Sequence, residues 1–299
     1  MTSVNPKPGA KIIAIIGSGF VGSHIGQCAL NAGCEVRLVS RHPKSKIHGE
    51  ELFESDLISG KGLNQSIDGV EVVVNAVGII KEKGDNTFEA VHHQGVLNII
   101  EACRKAKVKR VIQISALGVS EGQTTPYFAT KHKAEQAIIS SGLEYVIFRP
   151  SVLFGPGDGF VNMLAGIMRR SPIFPIFGYG RYRLQPVSIY NLTEAVVKAF
   201  NHGIWDNEIY SVCGPEKLAY IDIIKKIADK LGKKIIMPRI PFGLITPPIK
   251  IAELIGIPIP LTSEQLLMLK SENLCENLSY ADNFGIKMIR FEDGIAEYL

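Results

Sequence analysis

The segment KIIAIIGSGFVGSHI near the start of the chain limits the possible folds more than any other. The apolar run Ile12 to Ile16 is short, as a strand buried on both faces should be, and from Val21 the residues Val21, Ile25, Cys28 and Ala29 recur at helical spacing. Gly17, Gly19 and Gly22 therefore sit at a strand-to-helix turn. Gly17 supplies the tight turn, Gly19 removes a Cβ that would block a pyrophosphate, and Gly22 lets the helix pack closely on the strand. The helix N-terminus, opened by Phe20 and Val21, then faces an anion. A tight turn without a ligand is the alternative reading of the same glycines.

The next strand bears on the ligand. It runs from Glu35 and emerges near Ser40 and Arg41, where a site for NAD is expected to carry an acid for the ribose 2′-hydroxyl. No acid stands there. A guanidinium at Arg41 instead suits a 2′-phosphate through a bidentate, charge-assisted contact and can stack on adenine, with Lys44 and Lys46 adding positive potential. NADP(H) is thus expected over NAD(H), the alternative being that Arg41 is a solvated strand-end charge.

A chain of 299 residues holds one large α/β domain or two smaller ones. The five cysteines show no C-x-x-C pair, so neither a zinc site nor a redox motif is expected; the chain is expected to need no disulfide and to suit a reducing cytoplasm. The densest basic run, Arg104 to Arg110, lacks interleaved aromatic residues and reads as a solvated helix end, not a nucleic-acid patch. Residues 1–10 form a polar tail without the apolar core of a signal peptide.

Strand and helix signals keep alternating: a β-branched run Val70 to Val74, a helix Ala90 to Lys105, a strand Val108 to Ile114, a helix Tyr127 to Ser140 and a strand Tyr145 to Phe148. This predicts an α/β, doubly wound parallel sheet over residues 11–150. Residues 151–299, richer in proline, predict a smaller C-terminal substrate lobe, with a stretch at about 186–213 returning to the main sheet. Ile240 to Leu261 is apolar, but five prolines with Lys250 and Glu253 argue against a membrane span. Ile249 to Ile255 reads as a short amphipathic helix, either packed on the core or docked at a membrane surface.

Ser115 ends the fourth apolar strand, Tyr127 follows, and Lys131 lies one helical turn beyond the tyrosine. A free phenol, with a pKa of about 10, is a poor base at neutral pH, and an adjacent ammonium favours phenolate. Tyr127 is therefore the candidate acid/base. Ser115 is the candidate donor to a substrate oxygen.

With these residues the chain resembles the short-chain dehydrogenase/reductase superfamily in its extended and atypical branch. The resemblance includes Asp56-Leu57, which in such proteins lies against adenine, and Asn75-Ala-Val-Gly78, which is similar to the strand end beneath the cofactor. Arg149-Pro150 and Phe154-Gly-Pro-Gly157 look like the loop bordering nicotinamide and substrate. It implies a Rossmann-type fold, catalytic roles for Ser115, Tyr127 and Lys131, and dinucleotide contacts from Ala76, Val77, Gly78, Lys131, Pro150 and Val152. Within the superfamily, RPSVLFGPGDGFVNMLA, LQPVSIYNLTEAVVKAF and LTSEQLLMLKSENL resemble the nucleotide-binding accessory subunit of respiratory complex I and its bacterial relatives. Three positions depart from the pattern: Ile16 stands where many members have glycine, His92 where asparagine anchors a water of the proton relay, and Asn191 where aspartate is common. His92 can serve as a relay or as a structurally bonded side chain.

Two functions follow from this resemblance. One is an NADP-dependent oxidoreductase, or an epimerase or dehydratase, acting on a carbonyl or alcohol in respiratory or quinone-related metabolism. The other is a non-catalytic accessory or assembly protein of a respiratory complex, in which NADPH stabilises the fold. Both allow a respiratory-complex partner or a peripheral contact at the inner membrane.

Overall fold

The structure, a computed structural model of the chain, describes residues 10–44, 49–123, 125–244, 247–249 and 272–299. Lys46 and most of the apolar segment beyond Ile240 lie outside the described residues. The chain divides into two units, the first comprising residues 1–150, 189–212 and 277–287, the second residues 151–188, 213–276 and 288–299.

The first unit is built on a seven-stranded sheet. Its strands are β1 (Ile12–Ile16), β2 (Glu35–Ser40), β3 (Glu51–Glu54), β4 (Val72–Asn75), β5 (Arg110–Ile114), β6 (Glu144–Pro150) and β11 (Glu208–Val212). They lie in the order β11-β6-β5-β4-β1-β2-β3, and every pairing is parallel. Each central strand is apolar on both faces because helices cover both. Ile15 faces α1 (Phe20–Asn31): a Cβ built at Gly22 would stand 3.3 Å from its Cγ2. Ala14 and Ile16 point the other way, into a layer with Leu63 of α2 (Leu63–Ser66) and Ile99 and Cys103 of α3 (Gly95–Ala106). α4 (Pro126–Ile139) packs Ala134 and Ile138 against Val111 and Ile147, and α6 (Ile189–Asn201) lies against α1.

Two elements depart from the sequence reading. β3 continues the sheet beyond β2, although Glu51, Leu52 and Glu54 are exposed and no apolar run announces it. The helix expected from Ala90 begins instead as a π-helical turn over Glu89–Gln94, which passes into α3 at Gly95. Gly95 is required there: a Cβ would lie 2.8 Å from Leu57 Cγ, so α3 rests directly on the loop after β3.

The second unit has its own core. α5 (Val161–Arg170) and α7 (Tyr220–Lys230) bury Leu164, Met168, Ile223 and Ile227 with Phe154, Ile176, Phe291 and Ile295. Short two-stranded pairs surround it: β7 (Leu153–Phe154) with β10 (Val187–Ser188), β9 (Arg183–Leu184) with β12 (Leu218–Ala219), and β8 (Ile176–Phe177) with β13 (Arg239–Ile240). The buried Asp158 carboxylate accepts hydrogen bonds from the N–H of Gly155 (3.2 Å) and Phe160 (2.8 Å) and from Tyr298 Oη (2.8 Å), fixing the start of α5. Among the described residues no helix is long and apolar enough to cross a membrane.

The cysteines correct one expectation. Cys213 and Cys275 are joined in a disulfide with Cα atoms 6.1 Å apart, inside the range such a bond requires. Their 62-residue separation hid the pairing, since no local motif marks it. Such bonds are rare in reducing compartments. Cys28, Cys34 and Cys103 are free, and burial pushes the Cys103 thiol up to about 12.

Candidate active site

In an open parallel sheet, ligands bind beyond the carboxyl ends of the strands where the order reverses, here between β1 and β4. The loops after these strands touch: a Cβ at Gly17, whose φ is +107°, would meet Val77 Cγ2 at 3.0 Å and the Ala76 carbonyl carbon at 3.1 Å. The three glycines of the turn have separate physical reasons. Gly17 needs a positive φ that a side chain disfavours. Gly22 needs space, because a Cβ there would lie 1.8 Å from the Gly17 carbonyl oxygen. Gly19 needs neither, since nothing of the chain lies within 4 Å of its Cβ position. That open cradle stands at the N-terminus of α1, where no side chain caps the backbone N–H groups and no acid occupies the first turn. Phe20 and Val21, both part-buried, open the helix, and the Phe20 ring packs 4.9 Å from that of His24.

At the end of β4, Asn75 is buried. Its Nδ2 donates to Gln113 Oε1 (2.9 Å) and its Oδ1 accepts from the Val77 N–H (3.1 Å), holding Ala76 to Gly78 as a fixed floor. Gly78 is exposed and lies over Lys131: a Cβ there would stand 3.2 Å from Nζ. Lys131 is buried and donates to the Ile114 carbonyl (3.3 Å). Burial brings its ammonium down to about 8, against the raising influence of Glu135. It remains a cation at neutral pH.

Tyr127 and Lys131 share one face of α4, as their spacing predicts. The Tyr127 ring sits in an aromatic cluster, edge-on to Phe88 (5.7 Å), His92 (5.4 Å) and Phe128 (5.1 Å). His92 is bonded at both ring nitrogens. Nε2 accepts the Ile79 N–H (3.1 Å), which puts the ring proton on Nδ1, facing Thr130 Oγ1 at 3.1 Å. Thr130 in turn donates to the Pro126 carbonyl at 2.8 Å. Burial, with the nearby Lys131 charge, lowers the His92 pKa to about 3. His92 is thus a neutral tie between the loop after β4 and the start of α4, the structurally bonded of its two readings.

Ser115 differs from the sequence reading in direction. Its hydroxyl donates to Glu135, which is fully buried and also bound by Arg149 through Nε (2.9 Å) and a second, shorter contact. The donor expected to face a substrate is thereby committed inward. Glu135 escaped the sequence analysis, although it continues the four-residue spacing of Tyr127 and Lys131 along the same helix face.

Beyond the ends of β2 and β3 lies a cavity of about 730 Å3 lined by Arg41, His42, Asp56, Lys61 and Asn64, with Glu54 at its side. Asp56 accepts from the Ile58 N–H (3.1 Å) and Ser59 Oγ (2.8 Å). Burial works to raise its pKa, but these hydrogen bonds and the Arg41 charge outweigh that and hold it below the usual carboxylate value. Ser40 Oγ is buried without a hydrogen-bond partner among the described residues, an orphan hydroxyl of the kind a ligand satisfies. The open cradle at Gly19 and this hydroxyl fit a dinucleotide. Leu57 is buried against Gly95 and the α3 layer. Pro150 ends β6, where its carbonyl accepts the Leu117 N–H (2.9 Å), while Val152 belongs to the second unit and packs against that unit's core.

Comparison with known proteins agrees with this geometry. Residues 17–163 match the NAD(P)H-binding family. The chain is 30% identical to ceramide reductase of Caulobacter vibrioides over 55% of its length and 53% of the relative's. It is 25% identical to the 40 kDa subunit of the mitochondrial NADH-ubiquinone oxidoreductase of Neurospora crassa over 77% of its length. It spans only 62% of that relative. The crystal structure of UDP-glucose 4-epimerase from Thermotoga maritima superposes with a TM-score of 0.74 at 18% identity, covering 95% of this chain and 96% of that one. Residues 17–163 thus match the NAD(P)H-binding family, and the chain shares the Rossmann-type fold of that epimerase.

Proposed function

We propose that the protein is an NADP(H)-dependent oxidoreductase of the short-chain dehydrogenase/reductase type, acting on a carbonyl or alcohol. The observation that carries this reading is the buried Lys131 ammonium beneath Gly78, one helical turn from Tyr127, at the sheet's point of strand reversal. When bound, the dinucleotide supplies or accepts a hydride. The open cradle at Gly19 with the N–H groups of Phe20 and Val21 would hold the pyrophosphate, on a turn that Gly17 and Gly22 shape. Lys131 binds ribose hydroxyls and keeps a positive charge near Tyr127, which gives or takes the substrate proton. Ser115, its own proton donated to Glu135, offers lone pairs to a hydroxyl and so favours an alcohol or the neutral phenol as partner.

Arg41, with Lys61 across the cavity, supports NADP(H). Asp56 accepts hydrogen bonds from its own loop, the Ile58 N–H and Ser59 Oγ. Loss of a charge-assisted contact costs about 1.5–3 kcal/mol, so Arg41→Asp is expected to weaken NADPH binding by roughly ten- to a hundredfold while NADH binding holds or improves. Titrations of dinucleotide fluorescence check this, and equal affinities before and after would remove the preference. In the same protein Tyr127→Phe is expected to leave dinucleotide affinity nearly unchanged and to lower any turnover by about 10²–10⁴.

A second reading is favoured by the inward commitment of Ser115 and by the relatives among respiratory-complex subunits. In it the dinucleotide is a structural ligand of an accessory or assembly protein. Retained NADPH that no ketone or quinone oxidises supports that role, and turnover lost in Tyr127→Phe excludes it. Either role goes with a peripheral contact at the inner membrane.

A further inference from the structure

A surface of the second unit has a composition of its own. Two stretches of sequence contain no acidic residue: 159–193, with Arg169, Arg170, Arg181 and Arg183, and 230–252, with Lys230, Lys233, Lys234, Arg239 and Lys250. The fold lays them side by side. Ile173 bridges Ile236, β8 pairs with β13, and the Ile236 backbone donates to the Pro172 carbonyl (2.7 Å) and accepts from the Phe174 N–H (2.8 Å).

Along this junction four large apolar side chains face water: Met163 is 51% exposed, Ile167 42%, Ile173 52% and Ile236 67%. Met163, Ile167 and Arg170 recur at helical spacing on the outer face of α5, while Leu164, Ala165 and Met168 fill its inner face. Ile173 follows three residues later, and the exposed Lys233 and Lys234 precede Ile236. Arg169 is engaged with the Leu299 backbone oxygen (3.3 Å) and Arg183 with Glu272 (2.7 Å). Arg170, Lys233 and Lys234 have no ion-pair partner among the described residues.

Exposed aliphatic groups beside unpaired cations, with no anion in either stretch, match one kind of partner best. A second copy of the chain, meeting this face with its own, would set like charges together. An anionic lipid surface offers negative headgroups to the cations and acyl chains to the apolar groups at once. We infer that the outer face of α5, together with the Ile173–Ile236 junction, docks on an anionic lipid bilayer, lying on it without crossing. This rests on the peripheral location proposed above and not on the identity of the dinucleotide.

The test is co-sedimentation of the full chain with phosphatidylcholine vesicles that contain or lack phosphatidylglycerol. Binding is expected only to the anionic vesicles and is released by salt. Each cation near such a surface contributes about fivefold, so the triple variant Arg170→Glu, Lys233→Glu, Lys234→Glu is expected to bind at least about a hundredfold more weakly. Met163→Ser with Ile167→Ser, which keeps every charge, is expected to weaken binding as well. All five positions are exposed, and unchanged dinucleotide affinity shows that the variants fold and keeps failure here separate from failure of the cofactor reading. Equal binding to both vesicle types, binding to neither, or variants that bind like the parent chain would overturn the inference, as would self-association through these residues in place of vesicle binding.

Discussion

Gly22→Ala is expected to destabilise the first unit by about 3 kcal/mol or more, the upper end of what overpacking costs, and to abolish dinucleotide binding. Its added Cβ would lie 1.8 Å from the Gly17 carbonyl oxygen and 3.0 Å from the carbonyl carbon, both backbone atoms that cannot swing aside. Either α1 moves off the sheet, opening the contact of Ile25 and Ala29 with the core, or the turn moves and the phosphate cradle is lost. Gly19→Ala is the matched control. Its Cβ meets nothing within 4 Å, so the cost to folding is the weaker helix-capping preference of alanine, about 1 kcal/mol, yet the pyrophosphate would still be blocked. Denaturant midpoints and dinucleotide titration on the two variants separate the packing glycine from the ligand glycine. Similar midpoints for both would show that the turn is looser than described.

Glu135→Ala is expected to cost about 3–5 kcal/mol, the range for breaking a buried pair from one side. Glu135 is fully buried and is the anion nearest three groups: the Arg149 guanidinium, the Ser115 hydroxyl and, through its charge, Lys131. Its loss leaves Arg149 unpaired and withdraws the influence that keeps Lys131 protonated against burial, so the Lys131 pKa falls further below its present value of about 8. Replacing both partners together, as Glu135→Leu with Arg149→Met, is expected to recover most of the stability, since an apolar pair of similar volume is often neutral. A double variant as unstable as the single one would mean that the site depends on its shape and not on the uncompensated charge. Urea denaturation read by circular dichroism suffices for the comparison.

The sequence made the parallel sheet legible because its central strands carry their burial in their composition. β1 spans Ile12–Ile16, as the apolar run predicts, and β11 (Glu208–Val212) lies in the stretch expected to return to the main sheet. The helix face of Tyr127 and Lys131 was equally legible, since four-residue spacing is a local property. The illegible parts depend on partners distant in sequence. β3 is exposed and polar at both ends, and only pairing with β2 makes it a strand. The inward turn of the Ser115 hydroxyl needs Glu135, the orientation of the His92 ring needs both Ile79 and Thr130, and its neutrality needs burial and the Lys131 charge. The π-helical turn at Glu89–Gln94 has no signature in the residues that form it. The acids beside Arg41 also arrive from the next strand: the end of β2 carries none, whereas the cavity wall brings Glu54 and Asp56 from β3 and its loop.

The bond between Cys213 and Cys275, 62 positions apart, makes a covalent ring of everything between them. A protease that cuts any peptide bond inside that ring severs the backbone without separating the pieces. The cleaved chain would run as a single species of unchanged mass, apart from the added water, under denaturing conditions, and would fall into two fragments only when a thiol is supplied. Apparent resistance of this protein to digestion therefore has two possible meanings, an uncut chain or a cut one still tied, and a reduced gel beside an unreduced one tells them apart.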